Sequence, residues 1–301
     1  MLVRLSIAVS QWFNGFRSLA MFPWFRMLFA GGLVAGATGA VAAVPLQGIL
    51  RDFCAPSTAN CTQLADFEGS IGDVQTGMVR PRLVSGLPVA GPRIGAGGST
   101  PDNFAKWYAD SPGYNLRFSH ILNLSENSPG ILSFDDSSFY PLDQRGYGNQ
   151  DRIHNYHFTL HVKGSISFTD ESAAADRFFD LSGDDDIWLF INGKLVVDLG
   201  GVHGTFGRSF TEETLKTMGM VSNRAYTMNL FFAERHTVDS GLHIRTSFDI
   251  APAVPEPSAW ALLGVGLFCL ACRRRSSPCE QEKNEADTAC SGGKHRCIEH
   301  S

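Results

Sequence analysis

Charge is scarce in this sequence. Asp, Glu, Lys and Arg make up 18% of its 301 residues, whereas 22 Phe, 31 Gly and 14 Pro give an aromatic, turn-rich chain. That balance suits an extracellular β-protein better than a helical enzyme. Catalytic signatures are missing as well, with no Gly-x-Ser-x-Gly turn and no Ser-His-Asp arrangement. The acidic stretch "DDDIWLFINGKL" lacks the alternating spacing and the mid-loop glycine of an EF-hand. No internal repeat is visible.

Long apolar runs are also lacking, and the two short ones sit near the ends. Arg17 and Arg26 precede "MLFAGGLVAGATGAVAAVP", which closes on Ala40-Val41-Ala42. A positive flank, a short apolar region and an A-x-A site read as a secretory signal peptide over residues 1–42. Its many Gly and Ala make it weakly hydrophobic for a permanent span. Whether translation starts at Met1 or Met21 stays open at this level. Near the other end, Val254-Pro255-Glu256-Pro257 is followed by an apolar run from Ala259 to Cys272 and then by Arg273–Arg275. An apolar run before a basic cluster behaves as a stop-transfer signal. Motif, apolar run and arginines in this order resemble the PEP-CTERM sorting signal. That resemblance implies processing by a membrane transpeptidase of the exosortase type, in an exopolysaccharide context. The signal occupies residues 253–275 and doubles as a transmembrane segment, with a polar tail over 276–301. Cys279, Cys290, Cys297, His295 and His300 in that tail fit no standard zinc spacing.

Without the two ends, only Cys54 and Cys61 remain of seven cysteines, a close pair suited to a small disulfide loop in an exported protein. Basic charge is short in the same segment. Between Ala43 and Pro257 there are 25 Asp and Glu against 16 Lys and Arg, a net charge near −9. Such an excess argues against nucleic acid as partner, and leaves membrane contact to the terminal segments alone.

Period-two alternation dominates the middle of the chain. In "NYHFTLHV", Tyr156, Phe158, Leu160 and Val162 share one face, and His157, Thr159 and His161 share the other, which reads as a solvent face. "IWLFINGKLVVDLG" reads as two strands joined at Asn192-Gly193, a turn that needs φ > 0 at both positions. "AYTMNLFFAE" and "LHIRTSFDI" supply further strands. Ser209 with Glu212 suggests a capping box and Gly219 a C′ residue for one short helix. "PDNFAKWYAD" suggests another, capped by Thr100 or Asp102, and Ser85–Gly98 reads as a loop. Short strands without intervening helices argue for an antiparallel sandwich or barrel.

Asp184, Asp185 and Asp186 follow Gly183 and precede the strand starting at Ile187. A loop at a strand start lets carboxylates cluster outside the core, where their mutual repulsion totals about 1 kcal/mol. A hard cation removes that repulsion, and Ca²⁺ accepts carboxylates together with loop carbonyls. Asp198, His203 and Glu234 lie at strand ends of the same hairpin system and are further candidate ligands. An ion pair of Glu234 with an arginine is the alternative.

"FFDLSGDDDIWLFINGKLVVDLGGVH" and "YTMNLFFAERHTVDSGLHIRTSF" closely resemble the fibro-slime domain. Upstream, "ILRDFC", "DFEGSIGDVQTGMV", "FAKWYADSPGYN", "SSFYPLDQRGYGN" and "NYHFTLHVKGSISF" agree with that family in order. The resemblance spans roughly Gly48 to Ile250. That domain is similar in turn to the protective-antigen-type (PA-fourteen) β-sandwich. Aligning on Gly193-Lys194 places the Asp-Asp pair of that superfamily on Asp184 and Asp185, with Asp186 where its motif has Gly. In the flocculin-type lectins of the superfamily this pair, joined by a cis peptide, holds Ca²⁺, and the ion binds vicinal sugar hydroxyls.

The resulting expectation is a mainly β fold, an antiparallel β-sandwich or barrel of the protective-antigen type. It carries one or two short helices and hydrophobic helices at the N- and C-terminal ends, with the fibro-slime domain over residues 43–252. Functionally, the expectation is an exported, non-enzymatic protein of the cell envelope or extracellular matrix, transiently anchored through its C-terminal helix. Asp184 and Asp185 bind carbohydrate through Ca²⁺, with Asp186 as a third ligand, and the partner is extracellular polysaccharide or a surface glycan. Two alternatives stand beside it. One is a structural matrix protein without a small ligand. The other is a glycoside hydrolase using Asp185 and Glu234, for which adjacent acids in a solvated turn offer no raised-pKa environment.

Overall fold

In a computed structural model of the chain, the structure describes residues 43–55, 58–169 and 177–253. The hydrophobic helices expected at the two ends, the polar tail and the Pro-Glu-Pro motif lie outside these residues. Eleven strands form one antiparallel sheet. They are β1 (Ala43–Phe53), β2 (Asn115–Ser128), β3 (Ile131–Asp136), β4 (Phe158–Ser167), β5 (Phe178–Asp184), β6 (Asp186–Ile191), β7 (Lys194–Leu199), β8 (Phe206–Thr211), β9 (Tyr226–Glu234), β10 (Gly241–Thr246) and β11 (Asp249–Pro252). Their order is β7-β6-β9-β4-β1-β2-β3-β10-β5-β8, with β11 pairing the far part of β4. The outermost strands, β7 and β8, are consecutive in sequence, so the sheet curls into a nearly closed barrel. Two short helices complete the description, α1 (Pro101–Phe104) and α2 (Glu212–Thr217).

Alternation along the central strands feeds two apolar cores. Phe158, Leu160 and Val162 of β4, Ile187, Leu189 and Ile191 of β6, and Leu230 and Phe232 of β9 face the barrel interior. Trp188, Phe190, Phe231 and Ala233 face the other way, against Phe53 at the end of β1 and Phe67, Phe104 and Trp107 from the segment between β1 and β2. Each large side chain buried there contributes about 1.5–3 kcal/mol. Burial on both faces explains the uninterrupted apolar run of "IWLFI", since a strand with one wet face alternates.

That second core corrects the reading of the β4 histidines. His157 and His161 do not face solvent; they are 0% and 3% exposed. His157 Nε2 meets Glu68 Oε1 at 2.7 Å, and the His161 ring stacks on Phe231 at 4.1 Å. Thr159, between them, donates to the carbonyl of Trp107 at 2.6 Å. His157 and Thr159 are covered by Phe67, Glu68 and Trp107 of the segment that carries α1, and His161 by Phe231 of β9.

Local signals are otherwise placed as expected, with one shift. Asn192 and Gly193 take φ of 52° and 69° and turn β6 into β7. Thr100 caps α1, its hydroxyl accepting from the Asn103 amide at 3.2 Å. Gly219 ends α2 with φ 82°. The cap of α2 is Thr211 rather than Ser209, because Ser209 is still in β8, where its hydroxyl donates to Asp180. Ser85–Gly98 runs through turns and isolated bridges. Cys54 and Cys61 are joined by a disulfide.

Candidate functional site

The three aspartates sit where β5 hands over to β6. Asp184 ends one strand, Asp186 begins the next, and the bond between Asp184 and Asp185 is cis. Gly183 lets this corner form, since a Cβ there would stand 2.3 Å from the carbonyl oxygen of Gly241 in the adjacent β10. The turn is not solvated. Asp184, Asp185 and Asp186 are 6%, 4% and 0% exposed, which corrects the expectation of an open acidic loop.

All six carboxylate oxygens accept hydrogen bonds, from three chain segments. Asp184 accepts from the Gly241 amide and, at 2.9 Å, from the Thr205 hydroxyl. Asp185 accepts from the amides of His203 at 3.2 Å and Arg235 at 2.9 Å. Asp186 accepts from the Gly201 amide and from Arg235 Nε at 2.6 Å. The β7–β8 loop, the end of β9 and the start of β10 are thereby tied to one corner.

The charges do not balance. Asp184, Asp185, Asp186 and Glu234 are all buried, against one buried guanidinium, Arg235. Burial, then the negative charge of Asp186, pushes the Asp185 carboxyl up to about 8. Burial, then Asp185, pushes Glu234 well above the usual carboxylate range. Glu234 Oε1 accepts from the His236 amide at 3.2 Å, while its buried Oε2 has no partner. The expectation that these acids would have ordinary pKa values therefore fails, because the turn is buried. No hydrolase pair follows from this. Both Asp185 oxygens are held by amides, and Glu234 is not on the wall of the pocket.

A pocket of about 120 Å³ opens over part of the cluster. Asp184, Asp185, His203, Thr205, His236 and Asp239 supply its polar wall. Two sequence candidates point elsewhere. Asp186 faces Arg235 and forms a fully buried ion pair, the arginine partner that had been considered for Glu234. Asp198 accepts from Trp188 Nε1 at 3.0 Å and from the Gly77 amide at 2.8 Å, fastening β6 and β7 to the upstream segment. Thr205, His236 and Asp239 were missed by the sequence reading. They carry no local pattern and are brought to the pocket by loops.

The donor set can be tested against Ca²⁺. Hard oxygen donors with uncompensated negative charge favour a hard cation, and carboxylate oxygens retain a lone pair after accepting one hydrogen bond. Asp184 and Asp185 fit because they also line the pocket, whereas Asp186 and Asp198 do not line it. Among the described residues no group of three or more His, Cys, Asp or Glu is clustered as a ready-made metal cage. Loop carbonyls, water or ligand hydroxyls would have to complete the shell. His203 adds a second feature. Its Nδ1 lies 2.8 Å from the Gly204 carbonyl, to which an Nδ1–H donates, and its buried Nε2 has no hydrogen-bond partner. A ligand hydroxyl would satisfy it.

The family model of the PA14 domain matches residues 126–251, and the PEP-CTERM protein-sorting motif matches residues 253–275. Protein psiQ of Dictyostelium discoideum is 29% identical over 197 residues, covering 60% of this chain and 19% of that protein. Protein psiE of the same organism is 31% identical over 207 residues, 60% of this chain and 40% of the relative. The chain thus spans well under half the length of these relatives. A solved PA14 sugar-binding domain from an RTX adhesin is 10% identical, covering 69% of this chain and 95% of that one at a TM-score of 0.32. Among the described residues, no helix is long and apolar enough to cross a membrane.

Proposed function

We propose that this chain, which carries a PA14 domain and behind it a PEP-CTERM sorting motif, is an exported surface or matrix protein that binds carbohydrate without chemistry. Its site is the pocket at Asp184 and Asp185. The observation that carries this reading is the cluster of buried acids at a pocket wall that also offers the unpartnered Nε2 of His203. Asp184 and Asp185 would hold Ca²⁺, which supplies a charge on which vicinal hydroxyls can replace water. His203 Nε2 would accept a hydrogen bond from a ligand hydroxyl, and Thr205 orients Asp184. The sorting motif supports export with processing by an exosortase-type enzyme, and an extracellular polysaccharide or surface glycan as partner.

A structural matrix role without a small ligand is favoured by one observation, that all six oxygens of the aspartate corner accept hydrogen bonds from the protein itself, four of them from backbone amides. The two readings separate by experiment. Thermal melts of the protein are compared in EDTA and in millimolar Ca²⁺, with Asp185→Asn alongside, followed by a glycan array in Ca²⁺. Ca²⁺ at about a hundredfold over its Kd stabilises by about 2.7 kcal/mol, or several degrees. A shift in the wild type alone, with glycan retention abolished by EDTA, supports the binding site. No shift, or full stabilisation of the variant, removes Asp185 from it. A shift without glycan retention leaves the matrix role.

A further inference from the structure

Beside the acidic pocket lies a second, larger cavity of about 250 Å³. The two are next-door neighbours along three separate segments. Ser70 and Gly72 line the larger cavity while Ile71 lines the smaller, and Val202 gives way to His203, and Arg235 to His236, in the same manner. One residue step is about 3.8 Å between Cα atoms. The two cavities therefore lie close together, within the span of a ligand longer than one sugar ring.

We propose that the two cavities form one extended site for consecutive residues of a neutral oligosaccharide, an inference that rests on the carbohydrate reading of the acidic pocket. Three features of the larger cavity support it. Its wall is kept bare at Gly72 and Gly95, where a Cβ would meet nothing within 4 Å and no positive φ demands glycine. Neither backbone conformation nor packing explains the missing side chains, whereas an occupant does. Arg235, 0% exposed, lines the cavity with donors to spare. Nε donates to Asp186, Nη1 to the Asp66 carbonyl and Nη2 to the Gly97 carbonyl, which leaves one N–H on each Nη. Ser70 and Asp73 add a hydroxyl and a carboxylate that make no hydrogen bond among the described residues.

Donors and acceptors mixed in this way suit hydroxyls, which do both. An acidic sugar is disfavoured by Asp73 here and by Asp184, Asp185 and Asp239 next door. An apolar ligand finds little beyond Ala96 and Val202. Residues 69–75 and 95–98 precede the PA14 match at 126–251, while Gly201, Val202 and Arg235 fall within it. The upstream segment thus supplies nine of the twelve residues that line the cavity and extends the site of the PA14 part.

The test is a chain-length ladder. Binding of mannose, glucose and galactose oligomers of one to four residues is measured in millimolar Ca²⁺, for the wild type, Gly72→Leu and Gly95→Leu. Melting temperatures confirm that the variants fold. In the wild type the trisaccharide of a bound series is expected to bind about tenfold tighter than its monosaccharide. Filling the cavity should bring that ratio close to one. A flat ladder in the wild type, or a ratio unchanged in both variants, overturns the extended site while leaving a monosaccharide pocket standing. No binding in any ladder overturns the carbohydrate reading and this inference together.

Discussion

Replacing Arg235 by Met isolates the electrostatics of the aspartate corner. The guanidinium is fully buried, pairs with Asp186 at 2.6 Å, holds the Asp66 and Gly97 carbonyls at 3.0 Å each, and lies 4.7 Å from the Trp107 ring centroid. Met keeps most of the apolar stem but leaves Asp186, at 0% exposure, without its counter-charge. Removing one partner of a buried pair costs about 3–5 kcal/mol, chiefly because the survivor stays buried and unpaired. A domain of this size loses ~2–4 °C of Tm per kcal/mol, so a loss of about 4 kcal/mol lowers the melt by ~8–16 °C.

The assay is urea denaturation of wild type, Arg235→Met and the double variant Arg235→Met/Asp186→Asn. The double variant discriminates the cause. Asn removes the uncompensated charge while its carbonyl still accepts from the Gly201 amide, so it should recover part of the loss. If Arg235→Met costs under about 1 kcal/mol, or if the double variant is no better than the single one, the ion pair is not what holds the corner together. This outcome is independent of any metal bound at Asp184 and Asp185.

Two further predictions follow from groups away from the site. Burial, partly offset by Asn229, lowers the His161 pKa to about 4, so the folded state resists its protonation. Stability from His161 is complete above its unfolded pKa of about 6.5 and is lost as pH falls towards 4; the shift corresponds to at most about 3 kcal/mol. Stability measured across that window should fall less steeply in His161→Gln, and an identical slope would show that His161 is not a source of it. The second concerns Cys54 and Cys61, seven apart in sequence. Chain-entropy arguments give the disulfide about 2.5 kcal/mol, so Cys54→Ser/Cys61→Ser should melt several degrees lower, and an unchanged melt would refute that contribution.

What the sequence reveals here divides by the range of the interaction. Asn192-Gly193, Thr100 and Gly219 act within a few residues of themselves, and the structure places each where local chemistry puts it. Alternation located the strands, and strand ends located the aspartates. Missed features all depend on partners far along the chain. Asp186 meets Arg235 49 residues later, and His157 meets Glu68 89 residues earlier. Neither distance leaves a periodic trace. His157 and His161 alternated with apolar residues and so mimicked a wet face, because the segment that covers them is built of turns and one short helix. A clue did exist in the neighbouring strand. "IWLFI" does not alternate, and such a run means burial on both faces. Since β4 and β6 both pair with β9, double burial of β6 already implied that something covers the outer face of the sheet. The aspartate corner at the start of β6 was therefore never a surface turn. Its burial is what turns three adjacent carboxylates from a tolerated repulsion into a cluster whose charge is offset by Arg235 and by the raised pKa of Asp185.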